Sequence, residues 1–209
     1  MELLSLIDEL NSFAQKLFIL LLVIVIKLIT SRFIRLDALT NFQGFCRLLA
    51  NKVNKSGHSP KQLYLSGTLA WLMSLTPIVV FVWLFDVFIE VMWLWQALLL
   101  WLALGWFDTR HLCRNIADAL KKGHSQFAKE KLKLITLRQT DSLSPLGLSK
   151  ASIEVNLLRF NGEFATVIFI FLLFNPLIAL TYRLIYETHL SWNPNLRQFK
   201  YFGRSVNAV

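Results

Sequence analysis

Apolar positions in this chain do not alternate with polar ones; they run in long blocks free of charge. Leu63 to Phe85 is 23 residues without a charged side chain, Val91 to Phe107 adds 17, and Phe164 to Tyr182 supplies 19. Starting the second block at Val87 makes it 21 residues, with Glu90 near one end. A helix needs about 20 such residues to cross a hydrocarbon core roughly 30 Å thick. The blocks therefore predict membrane helices. The third is interrupted only by Asn175-Pro176. That step reads as a kink, since neighbours can re-satisfy the carbonyl a proline frees, with a functional half-helix break as the alternative.

The amino-terminal pattern is less clean. Leu17 to Ile26 is ten apolar residues between Lys16 and Lys27, long enough to span only if both lysines snorkel to the interfaces. Upstream, Leu3, Leu4, Ile7 and Leu10 repeat at helical spacing, with Glu2, Asp8 and Glu9 on the other face. A signal peptide would have a basic start and a small-residue cleavage site, and neither is present. The segment reads as a membrane helix, with an interfacial helix as the competitor.

Composition agrees. Of 209 residues, 55% are hydrophobic and 17% charged, with seven Trp and seventeen Phe. A chain this short cannot hide that apolar load in its own core. An ordinary soluble enzyme and a disordered regulator are both excluded, and the lipid bilayer is the expected solvent. The net charge of +9 sits in the loops. Ser31 to Gln62 carries Arg32, Arg35, Arg47, Lys52, Lys55 and Lys61 against Asp37, and Asp108 to Glu163 carries ten Lys/Arg against six acids. The positive-inside rule puts both loops in the cytoplasm and the Asp86–Glu90 turn and amino terminus outside. The tail after Tyr182 carries Arg183, Arg197, Lys200 and Arg204 against Glu187. Either it breaks the rule or the fourth segment does not cross. No stacking motif or zinc spacing supports a nucleic-acid partner.

The expected organisation is an all-α, polytopic helical membrane protein with about four transmembrane helices and a cytoplasmic helical cap. It divides into 1–30 (amphipathic start and first membrane helix), 31–62 (basic cytoplasmic loop), 63–107 (transmembrane hairpin), 108–163 (cap), 164–183 (membrane helix) and 184–209 (basic tail). The expected location is a bacterial inner membrane, multi-pass, with the long basic loops cytoplasmic. Within the cap, Leu112, Ile116, Ala119 and Leu120 mark one helix face and Gly123 ends it. A second helix is expected from Ser125 as N-cap to near Arg138, with Phe127, Leu134 and Ile135 inward. A third is capped by Ser149 and runs through Ile153, Leu157 and Phe160.

Local chemistry motifs are sparse. No Walker loop, GxSxG or HExxH appears. Cys46 and Cys113 stand alone and read as buried or loop thiols. His58, His111, His124 and His189 read as scattered, solvated or interfacial loop residues. Asp141, Glu154 and Glu163 either gather for Mg²⁺ or acid–base work, or are ion-paired surface. The tryptophans read as an interfacial belt and helix packing, or as an aromatic ligand cage. Another membrane protein is a further candidate partner, docking on the Trp-rich hairpin.

The stretch Ala119 to Leu143, ALKKGHSQFAKEKLKLITLRQTDSL, resembles the CobD/CbiB family of cobalamin-biosynthesis membrane proteins, adenosylcobinamide-phosphate synthase. That family's pattern runs roughly AL-x-x-GD-x-x-x-AR-x-x-L-x-x-x-VGRDT-x-x-L, followed by an ESLAEN segment, a YR-x-x-N helix end and a closing YFG. Ala119-Leu120, Gly123, Ala128-Lys129, Leu132, Arg138, Thr140 and Leu143 fall at matching spacing. Glu154 matches the first glutamate of the acidic segment, Tyr182-Arg183 the YR pair, and Tyr201-Phe202-Gly203 the YFG. The likeness covers roughly residues 100 to 204, and the amino half loosely through Phe42 to Ala50 and Leu65 to Leu72.

The resemblance implies attachment of an aminopropanol arm to a propionate of adenosylcobyric acid, an amide-forming synthase reaction using ATP and Mg²⁺, with a corrinoid precursor as partner. It implies Arg138 clamping a phosphate or carboxylate, Thr140 hydrogen-bonding it, Glu154 serving metal or proton transfer, and Tyr182 and Arg183 holding substrate. It implies no metal ligands among particular residues, because acids of the pattern are replaced. Gln139 stands for the aspartate of RDT, Leu158-Arg159 for the EN pair, Gly162 for the next aspartate, and Tyr186 and His189 for later polar positions. The pattern's relatives are expected to continue past the YFG. Asn156 to Pro176, NLLRFNGEFATVIFIFLLFNP, also resembles the AmpE-type membrane proteins linked to β-lactamase induction. That second likeness implies a non-enzymatic sensor or modulator of cell-wall stress.

Overall fold

The computed structural model describes residues 12–33, 39–55, 57–136, 140–204 and 206. The amphipathic pattern before residue 12 and the candidate Arg138 lie outside the described residues. Among those described the chain is helical, in the order α1 (Ser12–Phe33), α2 (Thr40–Val53), α3 (Pro60–Asp86), α4 (Met92–Ala103) and α5 (Phe107–Lys121). There follow α6 (Ser125–Lys133), α7 (Pro145–Phe160), a π-helical turn (Asn161–Ala165), α8 (Thr166–Leu173) and α9 (Pro176–Ser191). Two short 3₁₀ turns close the tail. Three stretches are long and apolar enough to cross a bilayer: Ser12–Ser31, Pro60–Asp86 and Pro145–Leu173. The all-α membrane fold expected from the sequence is the one observed.

In α1 the buried residues Ile19, Val23 and Lys27 form one stripe at i, i+4, i+8, while Leu21 and Ile29 are exposed. A helix apolar all round that buries one stripe against protein leaves its other faces for lipid. Helix α3 begins with a capping box: the Gln62 amide donates to Ser59 Oγ, the Ser59 amide donates back to Gln62 Oε1, and Pro60 opens the first turn. Its buried residues, Gly67, Ala70, Ser74 and Leu75, are mostly small, which lets α2, α9 and the Phe202–Arg204 turn approach closely. Helix α4, at about 1.5 Å per residue, is roughly 18 Å long and too short to cross alone. It packs between α1 and α9.

Two cores result. The larger joins α1–α4, α8, α9 and the tail, with Leu99, Leu100, Phe171 and Trp192 at its centre. The smaller holds the cap together through Ile116 of α5, Ala128 and Leu132 of α6, and Leu148 and Ala151 of α7. Gly123 ends α5 as its place after Lys121-Lys122 suggests. Its φ is +76°, its amide donates to the Leu120 carbonyl, and the His124 amide donates to the Ala119 carbonyl.

Several local expectations are corrected. Helix α6 stops at Lys133, and Ser125 is its first helical residue with no side-chain cap. Its inward face is Ala128 and Leu132, one turn apart, whereas Phe127 and Leu134 are exposed, Leu134 because the helix ends before it. Helix α7 starts five residues earlier than expected at Pro145, capped by Ser144 rather than Ser149, with Ser144 Oγ accepting from the Gly147 amide. Ile153 and Leu157 point outward, since this helix carries on without a break through the π turn into the crossing segment. Asn175-Pro176 is a helix boundary and not a kink: Asn175 is extended, its Oδ1 accepts from the Ile178 amide, and Pro176 starts α9.

Candidate functional site

Charge inside an apolar bundle is costly unless paired, and where it is retained it marks function. Here four charges gather where α7, the π turn and α9 meet. Arg159 and Glu163 are one turn apart, with Nη1 2.5 Å from Oε1. Arg183 and Glu187 repeat the same spacing on α9 and are ion-paired. The two pairs are joined across the helices by Arg183 Nη2 and Glu163 Oε2 at 3.5 Å. Gln43 of α2 donates to Glu187 Oε2 at 2.5 Å. Arg183, Glu163 and Glu187 are all essentially buried. Burial pushes the Glu187 carboxyl upward against the opposing pull of Arg183.

The α4–α5 junction is built onto this cluster. The Trp106 amide donates to Glu163 Oε2 at 2.7 Å, the Gly105 amide donates to the Glu163 carbonyl, and Trp106 Nε1 donates to Asn156 Oδ1. Trp106 holds a left-handed φ of 74°, a conformation that bulky residues adopt only where surroundings enforce it. The indole fits among Phe107, Phe160 and Phe164. A Cβ at Gly105 would overlap the Arg183 guanidinium, and one at Gly162 would overlap the Tyr186 ring. The glycines are there because the cluster needs their space. A π turn places an extra residue in the helix and is common at functional sites; here it carries Glu163.

The Arg159 edge of the cluster opens into a cavity of about 280 Å³, lined among others by Lys27, Thr40, Gln43, Arg47, Asp108 and Glu163. Lys27 Nζ donates to the Leu104 carbonyl at 2.7 Å and sits 4.7 Å from the Trp101 ring centroid. Lys27 is therefore buried rather than snorkelled, because the end of α4 supplies its acceptor. Lys16 does the same at the end of α8, donating to the Leu172 and Phe174 carbonyls. Beside the cavity, sharing Arg47 and Arg159, lies a groove of about 770 Å³ with Glu154, Tyr182, Tyr186 and His189 in its wall. Tyr182 and Tyr186 stack with centroids 6.2 Å apart. Burial pushes the Tyr186 hydroxyl up to about 12 and the His189 imidazole below its usual range.

Of the residues singled out by sequence, Glu154 and Tyr182 share this groove. Arg183 lies beneath it with its guanidinium facing Glu163 and Glu187. Thr140 is buried in the cap, where its hydroxyl donates to the Lys129 carbonyl at 3.3 Å. Lys27, Gln43, Arg47 and Arg159 were not singled out as site residues, and Glu163 only as one of three scattered acids. The signal for Arg159 and Glu163 in the sequence is the repeated Arg-x-x-x-Glu spacing of 159/163 and 183/187 in otherwise apolar helices. His111 and His189 are on helices, not in loops. Asp141, Glu154 and Glu163 do not gather: among the described residues no three His, Cys, Asp or Glu form a metal-binding group. Glu163 has both oxygens engaged by Arg159, Arg183 and the Trp106 amide. A Mg²⁺–nucleotide does not fit these donors. Cys46 and Cys113 are free, Cys46 buried beside Thr188.

The family model of the CobD/Cbib protein matches residues 36–204. A curated relative, the cobalamin biosynthesis protein CobD of Stutzerimonas stutzeri (strain A1501), is 26% identical over 143 residues. The match covers 68% of this chain and 47% of that protein, so the chain spans about half the relative's length. No solved structure matches the chain.

Proposed function

Because the chain belongs to the CobD/CbiB family, we propose that its cation-lined cavity binds the carboxylate or phosphate of a corrinoid precursor in cobalamin biosynthesis at the cell inner membrane. The observation that carries this reading is the placement of Lys27, Arg47 and Arg159 around one cavity that opens beside the Tyr182–Tyr186 stack. Guanidinium groups recognise carboxylate and phosphate through paired N–H donors. The stacked tyrosines offer a flat apolar wall to the body of the same ligand. Glu163 and Glu187 hold Arg159 and Arg183 in place, so the cations are positioned before ligand arrives.

The relative's name supports a place in cobalamin biosynthesis, and the reaction that the sequence resemblance implies there is attachment of an aminopropanol arm to adenosylcobyric acid. Such an amide needs an activated carboxylate, normally by phosphoryl transfer from a nucleotide, which the donors of this site do not hold. The roles assigned to this chain's residues are therefore binding and orientation of the acid by Arg47 and Arg159, with Glu154 in the groove to take the proton that an attacking amine releases. No step is routed through a metal, since the described acids do not assemble a site for one. The test is growth on cobyric acid of a strain lacking the authentic synthase, complemented with this chain. Growth that is lost in Arg47→Gln while the protein still reaches the membrane supports the reading. No growth with the unaltered chain ends the catalytic part of it.

A second reading is favoured by the engaged acids. With Glu163 fully paired and acids of the pattern replaced by Gln139, Leu158 and Gly162, the same cavity serves an AmpE-like membrane modulator that senses an anionic ligand without transforming it. Binding of cobyric acid to the purified chain without product formation, together with altered β-lactamase induction on deletion, distinguishes it from the first.

A further inference from the structure

A second groove, of about 650 Å³, lies where α1 meets the start of α5. One wall is Val25, Leu28 and Ile29, each exposed, on the crossing helix that ends at Ser31. The other is Arg110, His111 and Arg114, exposed on one side of α5. Arg110 and Arg114 are one helical turn apart and thus neighbours. The Arg110 guanidinium carbon lies 5.4 Å from the Trp106 ring centroid, a cation–π contact that orients the group while leaving its N–H edge to donate. No acidic side chain lines the groove among the described residues.

Apolar side chains on a span's flank below and two guanidiniums above make a wall with two chemistries in the order a lipid presents them. Basic pockets at the ends of membrane helices take phospholipid head groups, each cation adding to the attraction. We propose that this groove binds a single anionic phospholipid, its phosphate between Arg110 and Arg114 and its acyl chains along Val25, Leu28 and Ile29. The inference is independent of the corrinoid reading, because neither arginine lines the Arg47–Arg159 cavity.

The experiment is native mass spectrometry of the full chain in detergent, titrated with dioleoyl phosphatidylglycerol or dioleoyl phosphatidylcholine. The unaltered chain retains phosphatidylglycerol about tenfold more strongly than phosphatidylcholine. The surface variant R110Q/R114Q loses that preference, whereas K121Q/K122Q, which removes two charges from the other end of α5, keeps it. Undiminished preference in R110Q/R114Q overturns the proposal. An equal loss in K121Q/K122Q also overturns it, by showing bulk charge attraction. Displacement of the lipid by an equal concentration of inorganic phosphate overturns it in favour of a free-anion site. Unchanged helical circular dichroism in both variants establishes that each is folded.

Discussion

Gly105 lies against the guanidinium of Arg183, at a distance where no side chain fits between them. The turn from α4 to α5 and the buried charge of α9 are thereby one object. A Cβ at 105 must push on Arg183, which is held between Glu163 and Glu187 and has little room to retreat. Gly105→Ala is expected to cost about 1–3 kcal/mol, the usual range for overpacking. A thermal melt in detergent reads this as a fall of several degrees; an unchanged midpoint would show that Arg183 moves freely.

Removing one member of a buried ion pair leaves the other charge stranded, which costs about 3–5 kcal/mol. Arg183→Met alone should therefore be severe, since it strands Glu187 and half of Glu163. Arg183→Met with Glu187→Leu should be milder than the sum of the two singles. A double-mutant cycle on unfolding free energy measures the coupling. Additivity would mean that the two groups do not depend on each other.

Lys27→Met keeps the stem but takes away the donor to the Leu104 carbonyl. A buried acceptor left without its partner costs about 1–3 kcal/mol. Lys16→Met should cost less, because Lys16 is only half-buried where it meets the end of α8. Equal losses in the two melts would contradict the assignment of Lys27 as a buried helix cap.

Cys46 has its thiol pushed up to about 11, chiefly by burial. The thiolate is the reactive form, so below that range the folded protein presents almost none. Maleimide should label Cys46 slowly at pH 8 in native detergent micelles, and faster as pH rises towards 11 or when the chain is unfolded. Rapid native labelling of Cys46 at pH 8, read by peptide mass, would show that the α2–α9 contact opens.

The long Leu63–Phe85 block that becomes α3, the end of α5 at Gly123 and the tight turn after Asp86 are legible in the sequence because each depends on residues close together in the chain. The other two blocks read as single spans, whereas α4 is too short to cross and Asn175-Pro176 divides the third. Lys16 and Lys27 show the limit of that reading. Sequence locates two cations at the ends of an apolar run, and snorkelling is their simplest fate. The structure gives them instead to the carboxyl ends of α8 and α4, partners 156 and 77 residues away. The site is similar. The spacing of Arg159 with Glu163 and of Arg183 with Glu187 is local and readable, but the bridge between the two pairs is set by how α7 and α9 cross. Arg183 matches a motif, which suggests a ligand; only packing reveals that two glutamates already hold it.

The wide turn at Asn161–Ala165 also decides where this helix tolerates a change in length. It holds one residue more than an ordinary turn, and one residue advances an α-helix by about 100°. Deleting a single position there and restoring ordinary winding would therefore leave Val167 and Phe171 facing the protein core. The same deletion a few residues later, in α8, meets no such slack and would swing the side chains beyond it out of phase with the bundle.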